Sequence, residues 1–148
     1  MKSFRTAIMI CLCLSSTSVF SANTKEIESS NMTLVTQLYK TVYEKKAFDK
    51  LDQFVSNDVQ FYKNFSSPLN YAALKRHLIE QGASCVKLTM LPFNSILASG
   101  NKVVTLYTRS CIDQNNTMQQ RRVMAITEIE HQKVSKIWVV THDDDSPA

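Results

Sequence analysis

A change of hydrophobic period near residue 85 constrains this chain most. Before it, apolar residues recur at helical spacing: Leu34, Val35, Leu38, Tyr39, Val42 and Tyr43, then Phe48, Leu51, Phe54 and Val55, then Tyr71, Leu74, Leu78 and Ile79. Steps of three and four residues place side chains on one helix face, whereas alternation in twos places them on one face of a sheet. From Cys85 onward the alternation is of the second kind. Segments 85–97, 103–112, 120–130 and 134–142 read as strands, joined by tight turns at Ser99-Gly100-Asn101 and His131-Gln132-Lys133 and by a polar loop over 113–117. A short strand over 59–63 precedes the third helix. The order is helix, helix, strand, helix and then four strands, which is an α+β arrangement of three N-terminal helices on a mainly antiparallel sheet.

Local signals place the element ends. Ser30 or Asn31 is expected to cap the first helix and Asn70 the third, and Gly82 stands where a helix C-terminus takes a left-handed residue. Ser56-Asn57-Asp58 reads as a turn before the first strand. Pro92 interrupts the first long strand, which implies an edge position or a bulge.

The N-terminus has the three parts of a secretory signal. Lys2 and Arg5 precede an apolar run over 7–14, and small residues lead to Ser21. The reading is a signal peptide over 1–21, with an uncleaved anchor as the alternative. The apolar run is shorter than the roughly 20 residues of a membrane span, so no span is expected after cleavage. A polar, flexible leader over 22–31 is expected before a single domain over 32–142, with an acidic tail over 143–148. The expected location is outside the cytoplasm, periplasmic or secreted. Of the 17 basic residues, Lys2 and Arg5 leave with the signal, so 15 stand against 13 acidic ones. The basic pairs are scattered, so nucleic acid is not an expected partner. Asn31, Asn64 and Asn115 begin N-x-S/T sequons, which matter only in a host that glycosylates.

Of four cysteines, Cys11 and Cys13 lie in the signal, leaving Cys85 and Cys111. An even pair in an exported chain implies a disulfide. A two-residue turn at Ser99-Gly100 puts Cys111 opposite Leu88, three residues or about 10 Å from Cys85, beyond disulfide reach. Each bulge on the earlier strand would bring the partner of Cys111 one residue toward Cys85; Pro92 predicts one, and a shifted turn is expected to supply the remainder. His77, His131 and His142 show no paired ligand spacing, so neither a metal nor a cofactor is expected.

The opening LVTQLYKTVYEKKAFDKLDQFVSNDVQFY, the helix YAALKRHLIEQG and the closing strand KIWVVTH carry a resemblance. They make residues 33–142 resemble the NTF2-like superfamily, and within it the SnoaL-like and ketosteroid isomerase-like proteins. The resemblance implies a strongly bent sheet wrapped around the helices as a cone with an interior pocket. In ketosteroid isomerases a first-helix tyrosine, a first-strand aspartate base and a protonated aspartate on a later strand serve catalysis. Laid over this chain without gaps, these positions fall on Tyr39, Lys63 and Thr127. Only the tyrosine is retained, so the resemblance weighs against that isomerase chemistry.

The candidate pocket residues are Tyr39, Tyr43, Phe61, Lys63 and Thr127, with Tyr39 and Lys63 as the weak catalytic candidates. Tyr39 and Tyr43 lie one helical turn apart, and their bland alternative is core packing with each hydroxyl on backbone or water. Lys63 shares a strand face with Val59 and Phe61, and either holds a carboxylate ligand or extends outward to solvent. Trp138 lies opposite Ile137, Val139 and Thr141, as a core residue or an anchor for a homodimer through the open sheet face. The leading expectation is a binding module for a small apolar or carboxylate-bearing ligand. The alternatives are an isomerase, cyclase or dehydratase, and a non-catalytic assembly part of a cell envelope.

Overall fold

The structure is a computed structural model and describes residues 16–64 and 66–143. Most of the expected signal peptide and of the acidic tail lies outside the described residues. Helix α1 spans Ser16–Leu38 and widens into a π-helical turn over Tyr39–Glu44. A single 3-10 turn over Phe48–Lys50 runs into the short helix α2, Leu51–Phe54. Strand β1 is Val55–Lys63, helix α3 is Tyr71–Ser84, and the remaining strands are β2 (Lys87–Thr89), β3 (Ser95–Ser99), β4 (Lys102–Ile112), β5 (Met118–Glu130) and β6 (Lys133–Asp143).

The sheet order is β1-β6-β5-β4-β2, with β3 also on β4. Strand β1 runs parallel to β6, and every other pair is antiparallel. The curled sheet wraps its inner face around the helices. Val35, Leu38 and Val42 from the first helix and Leu74 and Leu78 from α3 pack against Val103, Val123, Ala125, Ile129, Val134 and Ile137.

Several local expectations are corrected. The segment 22–31, read as a loose leader, is helical, and its end is tied to the β3–β4 turn. Asn31 is buried in mid-helix and does not cap it; its Nδ2 donates to the Gly100 carbonyl at 3.0 Å. The Gly100 amide donates to Glu28 Oε1 at 3.0 Å. The turn expected at Ser56-Asn57-Asp58 is instead an irregularity within β1, where the register on β6 shifts between Val55 and Gln60. Asn70 does cap α3, its side chain accepting from the Ala73 amide at 3.0 Å. Gly82, expected to end α3 in a left-handed conformation, is an interior helical residue. A Cβ there would stand 2.5 Å from Phe48 Cζ, so close packing, not backbone freedom, calls for glycine.

The first long strand is two strands, β2 and β3, broken at Pro92, whose peptide bond with Leu91 is cis. Ser99 pairs with Lys102, Ser95 with Leu106 and Thr89 with Ser110, so the broken edge holds two residues more than the β4 segment it covers. Glu44 Oε1 accepts from the Met90 and Leu91 amides at 2.7 and 2.8 Å, which supplies partners that the broken ladder lacks. The hairpin turn is Gly100-Asn101, one residue later than expected, because Ser99 pairs with Lys102; alone it would set Cys111 opposite Met90, and the two extra edge residues return it to Leu88. The Cys85–Cys111 disulfide is nonetheless formed, with a Cα–Cα distance of 5.4 Å. The ladder does not slide to bring Cys85 opposite. Cys85 precedes β2 at the end of α3, and the chain bends at Val86, so it is not carried along the strand axis.

Candidate functional site

The residues of the cone are placed by three local features. The π-helical turn widens the end of the first helix and stacks Tyr39 on Tyr43, ring centroids 4.9 Å apart and 18° from parallel. Such turns break the regular helical ladder and recur at functional sites. Alternation along β4 points Val103, Thr105, Tyr107, Arg109 and Cys111 to the inner face. The β2–β3 break brings Phe93 edge-on to Tyr39 at 5.1 Å, and Tyr107 meets Tyr39 edge-on from the sheet at 5.2 Å. Edge-to-face contacts set the positive ring edge against the negative ring face.

This aromatic cluster fills the closed end of the cone. The Tyr107 hydroxyl donates to the Tyr39 hydroxyl at 3.3 Å in surroundings closed to solvent. Burial pushes the Tyr39, Tyr43 and Tyr107 phenols above their ordinary range, because it disfavours the phenolate. What remains open beside the cluster is a cavity of about 40 Å³, room for about one water molecule. Its walls include Phe61, Met90, Val123 and Val139, and its mouth carries Lys63, His77, Arg109 and Arg121. A shallower groove of about 220 Å³ adjoins it, lined by Ser84, Gln119 and the disulfide, and shares Gln81, Arg109 and Arg121 with it. Burial lowers the His77 pKa, the charges of Lys63 and Arg109 act in the same direction, and Glu80 opposes them in part.

Tyr39, Tyr43, Phe61 and Lys63 thus meet at one cavity. Thr127 does not join them. It is fully buried on the inner face of β5, four residues along from the cavity-lining Val123, or about 13 Å at strand spacing. Its hydroxyl has no hydrogen-bond partner. Cys85 and Cys111 border the groove. Sequence reasoning missed Tyr107, Arg109, Arg121 and the pocket position of His77. The signal was present in the alternation, since Arg109 shares the phase of buried Tyr107 and Val103, and Arg121 that of Val123 and Ala125.

The sequence matches no protein-family model and no curated protein. Solved structures do match. An LEH-like epoxide hydrolase of M. tuberculosis superposes with a TM-score of 0.67 at 15% identity, over 78% of this chain and 84% of that one. A SnoaL-like polyketide cyclase of Agrobacterium tumefaciens superposes with a TM-score of 0.63 at 17% identity, over 75% of this chain and 91% of the other. At these identities the likeness is one of fold, and it agrees with the curled sheet, three-helix layer and interior cavity described above. The chain therefore has the NTF2-like fold, in the arrangement that SnoaL-like proteins share.

Proposed function

We propose that this protein is an exported binding module whose cone mouth takes a small ligand with an apolar body and a carboxylate. The observation that supports it is the composition of the cavity: apolar walls from Phe61, Met90, Val123 and Val139, the side chain of Lys63 beside them, and no acidic side chain among the described residues that line it. A few precisely placed polar groups on apolar walls are the usual make-up of small-molecule sites. The cavity admits only the tip of a ligand, so the body lies along the rim and the groove. Export accords with the signal-like N-terminus and with a disulfide, a bond that persists in oxidising compartments. An isomerase, cyclase or dehydratase acting through Tyr39 and Lys63 has less support, because the third family position, Thr127, does not line the cavity.

Calorimetric titration with straight-chain carboxylates of four to ten carbons tests this reading. Binding should strengthen with chain length and weaken about tenfold in Lys63→Met, the scale of a lost charge-assisted hydrogen bond. Equal binding by that variant, or affinity indifferent to chain length, would sink the reading.

The opposite sheet face supports a second reading, a homodimer. Leu97, Val104, Ile126, Trp138 and Tyr62 form one unbroken cross-strand row over five strands, and Leu106, Met124 and Val140 lie beside it. Tyr62 and Trp138 stack at 5.7 Å and 8°. A charged rung closes the band on one side, with Glu128 between Lys102 at 3.9 Å and Lys136 at 3.4 Å. Contiguous exposed apolar bands of this kind mark interaction sites. Sedimentation equilibrium should find a dimer that the double variant Val104→Lys, Met124→Lys converts to monomer. A wild-type monomer throughout the accessible concentration range would remove this reading.

A further inference from the structure

Arg109 and Arg121 are directly opposite one another in the β4–β5 ladder, and both face inward. Like charges at a directly opposed pair repel, and nothing in strand formation calls for them. The placement is unusual in a second way. Arg109 is half-buried, its Nε is shielded from solvent without a hydrogen-bond partner, and its Nη2 reaches Cys85 Sγ at 3.7 Å, a weak acceptor. A guanidinium keeps its charge in a protein, so desolvating it without an oxygen acceptor is costly. Burial and the neighbouring Arg121 both push its pKa down, in keeping with that cost. The two arginines line both the small cavity and the 220 Å³ groove, and the described lining residues of either space include no acidic one. Asp143 of β6 stands opposite Arg121 in the β5–β6 ladder, so the uncompensated cation is Arg109. Of the other polar groups lining the groove, Gln81 and Gln119 are neutral with side-chain amides able to donate, while the Ser84 hydroxyl donates to the Gln81 carbonyl at 2.8 Å.

We infer that Arg109 and Arg121 form an anion-binding site in the groove beside the Cys85–Cys111 bond. It takes a carboxylate or a phosphate group, with the orphaned Nε–H of Arg109 as one donor. The groove has several times the volume of a water molecule, about 30 Å³ in the liquid, so the group can belong to a small organic anion. A planar guanidinium offers such oxygens two parallel bonds, and an anion between the two arginines would turn their repulsion into shared attraction. The site adjoins the cone but differs from the Lys63 position, and it stands whether or not an apolar ligand enters the cavity.

The test follows the arginine Nε–H resonances by NMR while inorganic phosphate, and separately acetate, is added to the oxidised chain. Saturable movement of the Arg109 signal is expected, with affinity falling about tenfold in Arg109→Gln. The anion should also raise the melting temperature of the wild type and not that of Arg109→Gln. Response to phosphate alone assigns a phosphoryl group, and response to both assigns the wider class. An Arg109 signal that stays fixed while both anions are added overturns the site, and this readout needs no variant to fold. Loss of binding in Lys63→Met with Arg109→Gln unaffected would also overturn it, while leaving the cone reading intact. Chain-length-independent binding that depends on Arg109 would do the reverse.

Discussion

The ammonium of Lys46 donates to the carbonyl of Cys85, 39 residues away in sequence, and to that of Gly82 at 2.8 Å. It thereby caps the C-terminus of α3, where the last carbonyls have no intrahelical partner and the helix dipole favours a cation. Lys46 itself has left-handed backbone (φ 55°), so the loop after the π-helical turn is shaped to deliver this side chain. The contact holds Cys85 at the bend from which it reaches Cys111. Lys46→Met should cost about 2 kcal/mol, the scale of hydrogen bonds to a charged donor. Urea unfolding of the oxidised protein measures it, and an unchanged midpoint would remove the capping role.

Gly82 and Phe48 make a second coupled pair. In an open helix, Gly→Ala stabilises by roughly 0.5–1 kcal/mol. Here the new methyl would stand 2.5 Å from the Phe48 ring, and displacing a packed ring costs about 1–3 kcal/mol. Gly82→Ala is therefore expected to destabilise, and Phe48→Leu in the same chain to recover part of the loss. A stabilised single variant in thermal or chemical unfolding would show that the ring moves freely.

The buried phenols predict sensitivity to alkali. Tyr39 and Tyr107 are under 5% exposed, and burial raises both above the ordinary phenol value of 10.0. Below pH 10 both folded and unfolded chains keep these protons, so their contribution is fully present. Above it the unfolded phenols ionise while the folded ones do not, so stability falls by about 1.4 kcal/mol per pH unit for each. Unfolding free energies measured from pH 8 to 11 should show the loss, and Tyr39→Phe should fall less steeply. Equal slopes for the two chains would mean that Tyr39 ionises normally in the fold.

Local periodicity decided a good deal of this protein. The shift from steps of three and four to steps of two located the helices and the strands. Asn70 announced its own cap, and two cysteines announced a disulfide. Phase along each element was enough to gather Tyr39, Tyr43, Phe61 and Lys63 at one cavity, because a side chain's face is set by its own backbone. Depth and register are different matters. Thr127 shares the inner face with Val123, yet phase says nothing of how far along a thirteen-residue strand a cavity lies. The opposition of Arg109 and Arg121 exists only in the β4–β5 pairing, and the reach of Lys46 to α3 only in the packing of distant segments. The disulfide shows the same division: the cysteine pair was legible, but the turn at Gly100-Asn101, the two extra edge residues that offset it and the bend at Val86 were not. Alternation is a property of a few neighbouring residues, whereas register, curl and helix docking are settled by contacts between residues far apart in the chain, and those contacts decided where the charges of this site converge.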